Sequence, residues 1–187
     1  MTPHVQTARE VASRHLPSLT EYWIDTLDDS SHVLIRPLQA QDWEREFQFI
    51  KRLSPEARRA RFLNSFSEPS AELMAQLMDV QYPSSVAYVA LVHDNGEVRE
   101  VGVSRYAQTQ GQQCEFAVVV ADDWQRKGLG RVLMQRLMAA ARRNGFKQMQ
   151  AIDLASNVHL QRLLADLGFD SQHAADDYSE IVHRCVL

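Results

Sequence analysis

The stretch FAVVVADDWQRKGLGRVL, residues 116–133, constrains the fold more than any other. An apolar run of strand type comes first. Two glycines, Gly128 and Gly130, follow inside the basic cluster Gln125-Arg126-Lys127-Gly128-Leu129-Gly130-Arg131. The spacing of Val132, Leu133, Leu137, Met138 and Ala141 then predicts a helix over about 129–143. Strand, cationic glycine loop and helix N-terminus therefore stand in direct succession.

That order points to an anion. Glycine lets a backbone approach a ligand closely and reach angles closed to other residues. A helix N-terminus leaves amide N–H groups unpaired and carries partial positive charge. Together they form a site for a phosphate or pyrophosphate, with Arg126, Lys127 and Arg131 adding charge around it. The P-loop pattern G-x-x-x-x-G-K-[ST] is not supplied. The dinucleotide fingerprint needs a third glycine where Leu133 stands, and a parallel unit where the strand ahead reads as antiparallel to its hairpin partner. A merely solvated loop would suit a lone G-x-G, but it fits poorly with basic side chains packed around both glycines.

The rest of the chain frames this unit. Residues 5–27 read as mostly helical, with Val5, Ala8, Val11, Ala12 and Leu16 near helical spacing and Pro17 as a break. HVLIRPL (32–38) reads as a short strand. Trp43, Phe47, Ile50 and Leu53 mark an amphipathic helix. Ser54-Pro55 opens a second helix, PEARRARFL, and residues 67–79 form a third. Strands follow over 85–93 and 98–106, joined by an Asn95-Gly96 hairpin signal, then over 114–121. Beyond the loop helix, closed by Asn144-Gly145, come a strand over 148–155, a helix over 157–167 closed by Gly168, and a last strand over 178–187. Helices between strands imply an α/β (α+β) chain with a mixed sheet.

Bulk properties remove several function classes. At 187 residues with 45% hydrophobic content, the chain is long enough to bury a core as one domain, residues 32–187, preceded by a helical extension over 1–31. A formal charge of −4 argues against a nucleic-acid protein that works by general basicity. Cys114 and Cys185 stand in no paired motif, which excludes a disulfide framework and a cysteine-rich zinc site; no metal site is expected. The apolar runs are too short to cross a bilayer, and the first residues lack the apolar segment of a secretory signal, so a cytoplasmic location is expected.

QRKGLG (125–130) resembles the [QR]-x-x-G-x-[GA] pyrophosphate loop of the GNAT N-acetyltransferase superfamily. NVHLQRLLADLGF (157–169) is similar to that family's next signature, an asparagine opening a helix that ends in Gly-Phe. The resemblance spans about residues 33–187. IRPLQAQD, LSPEARRARF and EFAVVVADDWQRKGLG are closest to the acetyltransferase domain of bacterial Pat-type protein lysine acetyltransferases. This resemblance implies the GNAT fold, a mixed, mostly antiparallel sheet flanked by helices. It implies acetyl-CoA as cosubstrate and no metal. The backbone of Val118, Val119 and Val120 is then expected to pair with the pantetheine arm. The segment Gln125, Arg126, Lys127, Gly128, Leu129, Gly130 and Arg131 is expected to cradle the pyrophosphate, and Asn157 to lie near the thioester.

The implied reaction is acetyl transfer to a primary amine, on a protein lysine or a small molecule. Pat-type domains place their catalytic glutamate at the position of Glu115. By position alone Glu115 reads rather as a polar-side residue of an alternating strand. Its apolar neighbours predict partial desolvation and a raised pKa. Many family members carry a tyrosine seven residues after the helix-opening asparagine, as acid for the departing thiolate; here Leu164 stands there and reads as core. The thiolate then leaves unprotonated, or takes a proton from water, from Ser156 or from another residue. RRAR (58–61) reads as a solvated helix face, with contact to the CoA 3′-phosphate or to an acidic acceptor as the lesser alternative. Tyr22, Trp23 and Ile24 would anchor a sheet cap or a subunit contact, and a homodimer is compatible with the sequence. The rival from another class is a non-catalytic acetyl-CoA sensor. Neither nucleic acid nor membrane is expected as a partner.

Overall fold

The computed structural model describes residues 21–63 and 66–187. Among them an eight-stranded sheet runs in the order β1-β2-β3-β4-β5-β6-β8-β7. The strands are β1 (Trp23–Thr26), β2 (His32–Pro37), β3 (Ser85–Asp94), β4 (Glu97–Gln108), β5 (Gln113–Val120), β6 (Gln148–Leu154), β7 (Asp170–His173) and β8 (Glu180–Val186). The helices are α1 (Trp43–Arg52), α2 (Pro55–Phe62), α3 (Ala71–Met78), α4 (Leu129–Arg143) and α5 (Val158–Asp166). All pairings are antiparallel except β5 with β6. This is the mixed, mostly antiparallel sheet expected. No described helix is long and apolar enough to cross a membrane.

Local chemistry sets the element ends. Asn95 and Gly96 both take positive φ (50° and 89°), the two-residue turn whose twist matches its flanking strands. Ser54 Oγ accepts the Ala57 amide (3.2 Å) and Pro55 fills the first helical position, so α2 begins where expected. Gly145 and Gly168 (φ 86° each) close α4 and α5 in the left-handed conformation.

The two faces of the sheet carry different helices. On β4, Ser104 Oγ donates to the Leu133 carbonyl of α4. Its neighbour Arg105 donates instead to Glu46 of α1 (2.7 Å) and to the Leu77 carbonyl of α3 (2.9 Å). Successive strand residues point to opposite faces, so α1 and α3 cover one side and α4 the other. The inner stripe of α4, including Leu129, Leu133, Leu137 and Ala141, is fully buried. At Gly102 an added Cβ would stand 3.0 Å from Leu133, which shows how tightly α4 presses on β4. α5 packs beside α4: a Cβ on Gly130 would stand 3.2 Å from Leu163, and Arg131 pairs with Asp166 (2.6 Å).

Two expectations change. The helix expected over 5–27 is a strand over Trp23–Thr26, paired with β2 through Trp23↔Ile35 to Thr26↔His32. The helical spacing that suggested it runs only from Val5 to Leu16, before Pro17, whereas Trp23 packs edge-on against Tyr88 at 5.4 Å and settles this segment on the sheet. The earlier part of that helix, with Val5 to Leu16, lies outside the described residues. β7 was not expected: DSQH is exposed throughout and has no apolar period to announce it.

Candidate active site

The parallel pairing of β5 with β6 covers three residue pairs, Gln113↔Gln148 to Glu115↔Gln150. β5 stays paired to β4 as far as Val120, while β6 runs on to Leu154 along β8. Beyond Glu115 the two central strands diverge. The β6-facing edge of β5 is left without a strand partner, and a cleft of about 980 Å³ opens there. Val118, Val119 and Val120 form one wall and Ala155, Ser156 and Asn157 the other. Arg126, Gly128, Gly130 and Arg131 close one end, and Ser54, Arg59 and Arg61 of the α2 segment form the roof.

The loop end presents the unpaired amides of a helix N-terminus, the chemistry an anion requires. Gly128 caps α4 at φ 84°, and the first helical bond closes from the Val132 amide to the Gly128 carbonyl (3.2 Å). The amides of Leu129, Gly130 and Arg131 precede that ladder and have no helical acceptor. The side chain of Leu129 is in the core, so only its amide belongs to the loop. Gln125 Nε2 reaches the Val120 carbonyl (3.4 Å) and ties the loop to its strand. The positive charge is smaller than the sequence suggests. Lys127 pairs with Asp29 (2.9 Å) and lies over the Trp124 ring (4.6 Å), and Arg131 is held by Asp166. Arg126 is exposed with no ion pair to a described residue. The β1–β2 turn accounts for this: the Asp28 amide donates to the Lys127 carbonyl (3.1 Å), and the Asp28 carboxylate covers Gly128.

At the other end, Asn157 caps α5 by accepting the Leu160 amide (3.3 Å) and donates to Asp153 (3.2 Å). Asp153 is buried, and that burial raises its carboxyl to about 6. Leu164 is in the core, as expected. Glu115 lies on the α1/α3 face, since it pairs with Ala107 and so shares the parity of Arg105. It lines a second cavity of about 330 Å³, and Arg61 stands in the walls of both spaces. The expected desolvation of Glu115 is corrected: its side chain is exposed, because its apolar neighbours Cys114 and Phe116 point to the other face of β5, while Gln113 and Ala117 on its own face leave it open to the cavity.

Residues 40–169 match the acetyltransferase (GNAT) family. The chain belongs to that family. It is 52% identical over 168 residues to Acetyltransferase PA5475 of Pseudomonas aeruginosa, over 89% of this chain and 90% of that one. The GNAT domain of S. lividans PAT superposes with a TM-score of 0.81 at 20% identity, over 89% of this chain and 97% of that one. The protein yncA of Salmonella typhimurium, solved with its cofactor acetyl-CoA, does so with a TM-score of 0.66 at 22% identity, over 84% and 95% of the two chains. At those identities the two structures speak to the fold alone.

The residues of this GNAT chain fit acetyl-CoA. An unpaired strand edge suits an amide-bearing extended arm, and a glycine-capped helix N-terminus suits a pyrophosphate. The structure brings Val118–Val120, Gln125, Arg126, Gly128, Gly130, Arg131 and Asn157 to one cleft. Lys127 and the Leu129 side chain turn away from it, and Glu115 stands in the adjoining cavity. Sequence reasoning missed Asp28, Ser54 and His159 in the cleft lining. It read Arg59 and Arg61 chiefly as solvated. The Asp122 carboxylate accepts from both the Ser54 amide (2.8 Å) and hydroxyl (2.7 Å) and fixes the start of α2 over the cleft, a long-range contact that no local pattern signals.

Proposed function

We propose that this protein transfers the acetyl group of acetyl-CoA to a primary amine, with Glu115 as the general base. The observation that supports it most is the divergence of β5 from β6 just past Glu115. It opens a cleft with an anion cradle at one end and a carboxylate-bearing cavity at the other. Acetyl-CoA supplies an activated acyl thioester. An alkyl ammonium has a pKa of about 10.4, so a proton must leave before the nitrogen can attack. Glu115 is exposed to the cavity and free to take that proton directly or through one water. The nitrogen–carbon bond forms, the carbon–sulfur bond breaks, and the sulfur departs as thiolate. Buried Leu164 offers it no proton. Solvent, Ser156 in the cleft wall beside Asn157, or another polar group of the lining such as His159 would supply it.

The test counts label from acetyl-CoA in the protein and small-molecule fractions of an extract, for the natural sequence and for Glu115→Gln. Loss of a general base lowers kcat by roughly 100- to 10,000-fold, while acetyl-CoA binding, read by calorimetry, stays. The aliphatic Leu164 in the place of a proton donor favours one other reading, a non-catalytic acetyl-CoA sensor. Binding without transfer into either fraction would establish that reading and overturn this one.

A further inference from the structure

We propose that the acceptor is a small amine that also carries a carboxylate, and that Arg61 is the subsite for that carboxylate. This rests on the acetyl-transfer reading and names its substrate class. The cavity beside Glu115 is about 330 Å³, at the small end of ligand pockets. Its walls carry both signs of charge: Arg61 and Arg105 against Glu115 and Asp79.

The two arginines differ. Arg105 is spent on the Leu77 carbonyl and on buried Glu46. Arg61 makes no hydrogen bond or ion pair to a described side chain, and its guanidinium lies 4.7 Å from the Phe62 ring centre. It shares a wall with Glu115 without pairing to it. Burial, and next the Arg105 cation, pull its pKa down to about 10, so its charge is held at a cost that a bound anion would relieve. A cation in this place repels a plain ammonium substrate. It complements one whose amine faces Glu115 while its carboxylate faces Arg61.

The phosphates of CoA are the other anions near α2, and the geometry sets them apart. Ser54, at the start of α2, is fixed to Asp122 beside the glycine loop. Arg61 lies seven positions on, roughly 10 Å along the helix at ~1.5 Å per residue, toward the Glu115 end of β5.

The test follows release of free CoA thiol with a panel of amino acids, each paired with its carboxamide and its decarboxylated amine. Lysine peptides and polyamines complete the panel. The natural sequence should prefer a carboxylate over its carboxamide by at least about 10-fold in kcat/KM, the scale of a charged hydrogen bond. Arg61→Gln should abolish that preference through KM for the acceptor, and Arg61→Lys should restore part of it. Acetyl-CoA affinity, measured separately by calorimetry, should stay within about threefold for both variants. Equal turnover of carboxylate and carboxamide, or a preference that survives Arg61→Gln, overturns the proposal. A loss of acetyl-CoA affinity in Arg61→Gln assigns Arg61 to the cofactor cleft and overturns it too. Turnover of lysine peptides or polyamines alone overturns it while acetyl transfer stands. No thiol release above the amine-free blank with any member of the panel removes acetyl transfer itself.

Discussion

Asp153 ties a single carboxyl to the stability of the site. It is buried, one of its oxygens has no hydrogen-bond partner among the described residues, and the other accepts from Asn157. Its folded pKa of about 6 lies above the ordinary carboxylate value near 3.9. Between those values the folded protein keeps a proton that the unfolded chain has released. Stability is therefore fullest below about pH 4 and falls until about pH 6, by up to ~3 kcal/mol for a shift of two units. Asp153→Asn should raise Tm by up to about 6–12 °C at about pH 8 and leave it nearly unchanged near pH 4. A gain of equal size at both pH values would show that the carboxyl does not titrate. The basic cluster gives a second prediction. With Lys127 and Arg131 already ion-paired, Arg126→Ala should raise the KM for acetyl-CoA more than Lys127→Ala does. The reverse order in steady-state kinetics would mean that Lys127 leaves Asp29 to bind ligand. Local sequence makes the three cations look alike. Asp29 comes from the turn between β1 and β2 at the sheet's edge, far from the loop in sequence, and no spacing near the loop announces it.

Elements that carry their own punctuation were legible. Ser54-Pro55, Asn95-Gly96, Gly145 and Gly168 mark boundaries by backbone chemistry alone, and the structure places turns and caps there. β1 and β7 were not, because four-residue edge strands have too few positions to show a period of two. The turn after β1 matters to the site, since it brings Asp28 onto Gly128. A Cβ on Gly128 would stand 2.8 Å from Asp28 Oδ2, at a backbone φ of 84°. Gly128→Ala should cost about 1–2 kcal/mol from the left-handed backbone, plus the contact with Asp28. In an Asp28→Ala background the contact part disappears. Chemical denaturation of the two single variants and the double variant should give a coupling of about 0.5 kcal/mol or more, with the double variant losing less than the sum. Additivity within about 0.3 kcal/mol would show that the turn does not press on the loop.

At the scale of the whole molecule, the family resemblance and the loop motif led to the right fold, but the cleft itself was hidden. It exists because β5 and β6 share three residue pairs and then part, and register between strands separated by a helix leaves no local mark. The same fact divides the sheet. β1–β5 and the unit of β6, α5, β7 and β8 meet through that short parallel ladder and through α4, with the cleft between them. A ligand lying along β5 touches both walls, Val118–Val120 on one side and Ser156–Asn157 on the other. Binding should therefore stabilise the second unit through contacts that the bare chain lacks. At a concentration about 100 times its Kd, CoA adds about 2.7 kcal/mol to global stability, or several degrees in Tm. Hydrogen exchange locates the gain. Amides of residues 117–120 and of the first turn of α5 should slow, and with them those of β6 and β8, which open as part of the same unit. Slowing confined to residues 126–131 would mean that CoA is held by its phosphates alone and does not bridge the two walls.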